Sequence, residues 1–195
     1  MRAININEGD EVVGVRLTNG NNELLLANRN GRAVRFHEDQ VRTMGRVSTG
    51  VIGMRIDGGD DEVVGMVCVN DPATETIMVV SENGYGKRSD IEDYRKTNRG
   101  TKGVKTLAVT EKTGRLVAIK VVTDENDLMI INKSGILIRL KVADVRVMGR
   151  ATQGVRLINL TKKNDTIASV CKVMSNQEED VEEAEIVDEE QNQEQ

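Results

Sequence analysis

The 195-residue chain is long enough for one substantial domain, and with 38% apolar residues but no Trp, one Phe and two Tyr its core must be built from Val, Ile, Leu and Met. Two cysteines, Cys68 and Cys171, exclude a disulfide framework and a four-cysteine metal site, and their apolar settings predict buried, reduced thiols. The net charge of −5 hides a division: residues 177–195 hold ten acidic residues and no basic one, which leaves a body of net +5.

The opening, MRAININEGDEVVG, has no apolar core of a signal peptide, and no run approaches transmembrane length, so the sequence predicts a soluble, cytoplasmic protein with no membrane contact. EVVGVRL (11–17) then reads as a strand. ELLLANRNGRAVRF (23–36) reads as strand, turn and strand, and so do ETIMVVSENGYGKRS (75–89) and DLMIINKSGILIRL (127–140), each starting 52 residues after the last. The turns fall at Asn30-Gly31, Asn83-Gly84 and Ser134-Gly135 and are predicted to be two-residue hairpin loops. A further strand follows each unit, at 62–69, 115–122 and 166–173, and EVVGVRL is a fourth copy of it.

Counted from the turn glycine, the rest keeps phase. Arginine recurs four residues on (Arg35, Arg88, Arg139), eleven on (Arg42, Arg95, Arg146) and fifteen on (Arg46, Arg99, Arg150), and glycine recurs nineteen on (Gly50, Gly103, Gly154). The expected organisation is therefore an all-β, propeller-like array of three four-stranded blades with one leading strand. Its repeats run over about 11–61, 62–114 and 115–176 and are followed by an acidic, disordered tail at 177–195. A start inside a repeat reads as a piece of a longer protein.

The three connectors, 31–50, 84–103 and 135–154, carry a surplus of eight positive charges, whereas the rest of residues 1–176 sums to −3. Equivalent arginines on successive blades form a repeated basic stripe, which fits a long polyanion held by its phosphates. With so few aromatic platforms, duplex DNA gripped by shape is favoured over a stacked single strand. Some arginines have a structural use open to them: Arg42 and Arg146 have Asp39 and Asp144 nearby, and Arg35, Arg88 and Arg139 lie in strands that can face inward. The lone His37 has no nucleophile or carboxylate constellation around it. P-loop, HExxH and CxxC patterns are absent, so no catalytic or metal site is expected.

NGYGKRSDIEDYRKTNRGTKGVKTL (83–107) and DLMIINKSGILIRLKVADVRVMGRATQGVRLINL (127–160) closely resemble the last blades of the C-terminal domain of the bacterial DNA gyrase A-subunit, and the acidic C-terminus is similar to that family's tail. The resemblance implies a β-pinwheel with strands exchanged between blades, whose basic rim wraps duplex DNA. By that likeness the DNA contacts are Arg35, Arg42, Arg46, Lys87, Arg88, Arg95, Arg99, Gly100, Lys102, Gly103, Arg139, Arg146 and Arg150. Its partners are double-stranded DNA, the A-subunit core and the B subunit. ATP and Mg are bound elsewhere in the holoenzyme, and this chain holds no cofactor. The family's first-blade box, Gln-Arg-Arg-Gly-Gly-Lys-Gly, is represented only by TNRGTKG (97–103), which keeps Arg99, Gly100, Lys102 and Gly103. Three blades stand where six are expected, and alone they should bind DNA weakly and supercoil nothing. The related topoisomerase IV domain is the alternative within the class. A protein-binding propeller, whose rim meets an acidic partner, is the alternative outside it.

Overall fold

The computed structural model describes residues 3–160 and 165–175. Each repeat folds as an antiparallel hairpin flanked by a long strand. β1 (Glu23–Asn28) pairs with β2 (Arg32–His37), and β3 (Val63–Val69) covers the other side of β1. The next repeat matches: β4 (Thr76–Ser81) lies between β5 (Tyr85–Asp90) and β7 (Leu116–Val122). In the third, β8 (Asn126–Asn132) lies between β9 (Leu137–Lys141) and β11 (Ile167–Met174).

The hairpin loops are longer than the sequence predicts, with five residues between the last paired positions. The last pairs are Ala27 with Ala33, Val80 with Gly86 and Ile131 with Leu137. The turn glycine N–H donates three residues back, from Gly31 to Asn28 O (3.1 Å), from Gly84 to Ser81 O and from Gly135 to Asn132 O (both 3.0 Å). Such a loop asks for a left-handed backbone at its final residue alone, and the glycines supply it with φ of 75°, 78° and 84°. The Asn28 side-chain oxygen accepts from the Arg32 N–H (2.8 Å), and Asn132 does the same for Ile136 (2.6 Å).

The outermost strand of a blade is lent by the following repeat. β6 (Val104–Lys105) joins the first sheet, order β3-β1-β2-β6, and β10 (Val155–Arg156) joins the second, order β10-β5-β4-β7. The third sheet has the order β11-β8-β9, with no strand beyond β9 among the described residues. Residues 11–17 match β3 in sequence, yet they are unpaired there, with Leu17 98% exposed. β3 has β1 to lie against, whereas residues 11–17 pair with no strand among the described residues.

The core lies between blades, and β4 explains how. All six of its residues are buried. Ile77 and Val79 pack with Leu25, Val67 and Ile119, while Met78 and Val80 pack with Leu128, Ile130 and Val170. A strand alternates its faces, so a central blade needs apolar residues at every position. Full burial of each such side chain stabilises by roughly 1.5–3 kcal/mol. β9 is open on one side and shows the opposite pattern, with alternating exposure. The thiols depart from expectation. Cys68 is half-buried in a small cluster with Leu24 and Phe36, where burial pushes its pKa up, but Cys171, on β11, is exposed among the described residues.

Candidate nucleic-acid interface

The recurring arginines fall into three environments. The strand positions, four residues past the turn, face inward. The Arg35 side chain is 1% exposed; it pairs through Nε with Glu23 (2.5 Å) and donates through Nη1 to the carbonyls of Ile91 (2.8 Å) and Tyr94 (2.9 Å) in the next repeat. Burial pushes the Glu23 carboxyl up, but Lys96 and Arg35 outweigh it and hold its pKa below the ordinary value. Arg88 repeats the arrangement, bonding Asp124 (2.6 Å) and the carbonyls of Val142 (3.1 Å) and Val145 (3.5 Å). Arg139 pairs with Asp127 (2.6 Å) and is 43% exposed. Arg35 and Arg88 staple one repeat to the next with their donors spent on protein oxygens, whereas Arg139 bonds within its own hairpin.

Fifteen residues past the turn, Arg99 and Arg150 clamp the connectors. Arg99 donates to Gln40 O (2.9 Å) and Ile52 O (3.0 Å), and Arg150 to Asp93 O (2.9 Å) and Lys105 O (2.8 Å). Their repeat mate, Arg46, is exposed. Lys87 is fully buried against the carbonyls of Gly149 and Arg150, and desolvation lowers its pKa to about 8. Gly103 and Gly154 press on the carbonyls of Ala33 and Gly86, so that any Cβ would collide there. Gly100 packs by its N–H on Gly53 O (2.6 Å), and Lys102 pairs with Asp57, whose pKa it lowers.

Eleven residues past the turn the environment reverses. Each connector makes a short 3₁₀ turn, Glu38–Gln40, Ile91–Asp93 or Val142–Asp144, capped by an extended residue, Val41, Tyr94 or Val145. The next residue is Arg42, Arg95 or Arg146. All three are exposed, and none makes a hydrogen bond or ion pair among the described residues. The buried Tyr94, bonded to the Thr106 hydroxyl (2.6 Å), shows how the turn is anchored so that the next side chain points to solvent. Two further exposed cations, Lys105 and Arg156, stand on the lent strands β6 and β10 and were missed by the sequence reading. Their shared place, twenty-one residues past the turn, was the available signal, obscured because the first repeat has Ile52 there.

A shallow cleft of about 310 Å³ is lined by Tyr85, Lys112, Arg156 and Asp165 among others, with both cations 5.4–5.6 Å from the Tyr85 ring centre. His37 accepts from the Asp39 N–H (3.3 Å) and caps its 3₁₀ turn. No cluster of three or more metal-ligating side chains is found among the described residues.

The family model described as the DNA gyrase C-terminal domain, a β-propeller, matches residues 1–19, 22–70, 75–123 and 126–171. The chain belongs to that family. As a member of the gyrase C-terminal domain family it is 44% identical over 183 residues to the A subunit of DNA gyrase from Staphylococcus aureus strain NCTC 8325 / PS 47, covering 94% of this chain and 20% of the relative. The same gyrase protein from strain MRSA252 is likewise 44% identical over 178 residues. The chain thus spans about a fifth of the length of these curated relatives. Among solved structures, the C-terminal domain of DNA topoisomerase IV superposes with a TM-score of 0.82 at 28% identity, over 89% of this chain and 53% of that one. The DNA gyrase A C-terminal domain gives 0.79 at 25% identity, over 88% and 57%. The strand lent from repeat to repeat is the exchange that the family resemblance implies.

Proposed function

We propose that this chain is a DNA-wrapping part of the gyrase A-subunit, which holds and bends duplex DNA while the rest of the enzyme cleaves and passes strands. The observation that carries the reading is the recurrence of one exposed, uncommitted arginine after the same 3₁₀ turn in three successive repeats: Arg42, Arg95 and Arg146. Evenly repeated cations with no neighbouring aromatic platform suit a phosphate backbone, whose contacts position the duplex without reading sequence. Of the thirteen residues that the sequence points to, these three are the phosphate ligands; Lys105 and Arg156 join them from the lent strands. Arg35, Arg88, Lys87, Arg99, Arg150 and Gly103 act through contacts within the protein, by fixing where the exposed arginines stand.

In this reading the A-subunit core and the B subunit supply the nucleophile, the metal and the ATP, and the assembly works in the cytoplasm as a type IIA topoisomerase that introduces negative supercoils. Topoisomerase IV is the second reading, favoured by the superposition at 0.82; the 44% identity to the gyrase protein favours the first. A titration with short and long duplexes at 50 and 200 mM salt tests the proposal. For about six phosphate contacts, affinity should fall roughly a thousandfold over that range, and the longer duplex should bind tighter. Binding that ignores salt and length would assign the rim to a protein partner instead.

A further inference from the structure

Where the strand lent by the third repeat meets the second hairpin, two cations stand against one aromatic ring. Tyr85, the first residue of β5, is buried. Lys112 Nζ lies 5.4 Å from its ring centre and the Arg156 guanidinium carbon 5.6 Å. The two charges are therefore no more than about 11 Å apart, the sum of those distances, which at roughly 3.4 Å of axis per phosphate spans about three phosphates of one DNA strand. Both side chains belong to exposed residues, and neither forms an ion pair among the described residues.

The backbone fixes both cations. Arg156 lies opposite Tyr85 in the β10–β5 register, and its Nε and Nη2 donate to the tyrosine hydroxyl (3.3 and 3.0 Å). Those bonds set the guanidinium plane and leave the Nη1 protons for an acceptor arriving from outside. Lys112 sits in a loop tied to the hairpin turn. The Asn83 side chain donates to the carbonyls of Glu111 (3.0 Å) and Lys112 (3.3 Å), the Asn83 N–H donates to Thr113 O (3.1 Å), and the buried Thr113 hydroxyl donates to Ala108 O (3.0 Å). The ammonium rests against the ring by cation–π attraction. Two carboxylates line the same cleft without closing on these cations. Asp165 is occupied by the Ser134 hydroxyl (2.6 Å) and N–H (3.3 Å) and by the Thr166 N–H (2.8 Å), and the exposed Glu111 forms no ion pair among the described residues.

The preceding joint lacks this arrangement. Counted from the turn glycine, Arg32 stands in the place of Tyr85 and Gly59 in the place of Lys112. Arg32 spends Nε and Nη2 on the carbonyls of Lys102 and Gly103 (both 3.1 Å), so Lys105 on the lent strand has no second cation held beside it.

We propose that Lys112, Tyr85 and Arg156 form a phosphate clamp for the backbone of duplex DNA. Arg156, through Nη1, and Lys112 each take a phosphate oxygen, and Tyr85 is a positioning residue that holds both cations without touching the DNA. The clamp rests on the DNA-wrapping reading and makes the grip uneven, with two phosphates held at the second joint and one at the first.

Salt titrations of the full chain with a long duplex test this. Lys112→Gln should lower the slope of log affinity against log salt by about 0.9, as Lys105→Gln should, with the melting temperature unchanged. Tyr85→Phe keeps the ring and removes the hydroxyl that orients Arg156. It should cost about fivefold in affinity at every salt concentration with the slope kept. That loss should vanish beside Arg156→Gln and persist beside Lys105→Gln; a tyrosine that merely packed would cost the same in both backgrounds. A slope unmoved by Lys112→Gln, or a Tyr85→Phe loss equal in the two backgrounds, overturns the clamp and leaves DNA wrapping standing. A wild-type chain whose binding ignores salt overturns both.

Discussion

Arg35 and Arg42 sit seven positions apart and do opposite work. Arg35 shares buried Glu23 with Lys96 and satisfies two carbonyls of the next repeat. Arg35→Ala leaves that carboxylate to Lys96 alone and takes the donor from the Ile91 and Tyr94 carbonyls; a buried acceptor left unsatisfied costs about 1–3 kcal/mol, and urea unfolding should show a loss of at least that order. Arg42→Ala should move stability by no more than about 0.5 kcal/mol and show its effect in DNA affinity alone. Lys87 gives a pH signature. Its pKa is about 8 in the fold against 10.5 ordinarily, so between these values the unfolded chain binds more protons and stability rises with pH. Tyr94 opposes this from pH 10 upward, because burial raises its hydroxyl to about 12 and the unfolded chain then loses its proton first. Denaturation midpoints should therefore climb between pH 8 and 10 relative to Lys87→Met, and turn down above 10 in both proteins.

The joint between hairpin and connector is the element that decides the fold, and glycine governs it. Gly154→Ala must adopt a left-handed backbone and also displace the Gly86 carbonyl, whereas Gly58→Ala, with φ +81° and open surroundings, bears the backbone strain alone. Strain of that kind is about 1–2 kcal/mol, so the Gly154 variant should lose clearly more than the Gly58 variant in equilibrium unfolding. Hairpins, phase and glycines could all be read from the sequence, because alternation and turn chemistry are local. What could not be read is which strand closes which blade. Val104-Lys105 lacks any pattern of its own and becomes a strand only because β2 offers an edge. For the same reason EVVGVRL has the pattern and is no strand, since a strand's hydrogen bonds belong to its neighbour. Among the arginines, spacing revealed the repeat but not the direction of the side chain. That depends on whether a carbonyl from an adjoining repeat waits within reach, the next one for Arg35 and the preceding one for Arg99, as none does for Arg95.

At the scale of the molecule, the repeated arginines act as a set. Removing one phosphate ligand lowers the slope of log affinity against log salt by about 0.9, so the triple variant Arg42→Gln, Arg95→Gln, Arg146→Gln should flatten the slope by about 2.7 while keeping its melting temperature. The acidic stretch 177–195 lies outside the described residues, and its ten negative charges tethered near a basic rim should compete with phosphate. Truncation after residue 176 is expected to tighten DNA binding most at low salt; equal affinity at every salt concentration would rule out the competition. The lent strand has a temporal consequence as well. During synthesis the first sheet opens at residue 23 but waits for residues 104–105, by which time the second hairpin is already made. At ordinary translation rates of about 5–20 residues per second, β2 spends several seconds as a bare edge. Neither of the first two repeats can finish folding before its successor has left the ribosome, and a nascent chain released just before residue 155 would carry an incomplete second blade and a third without β11.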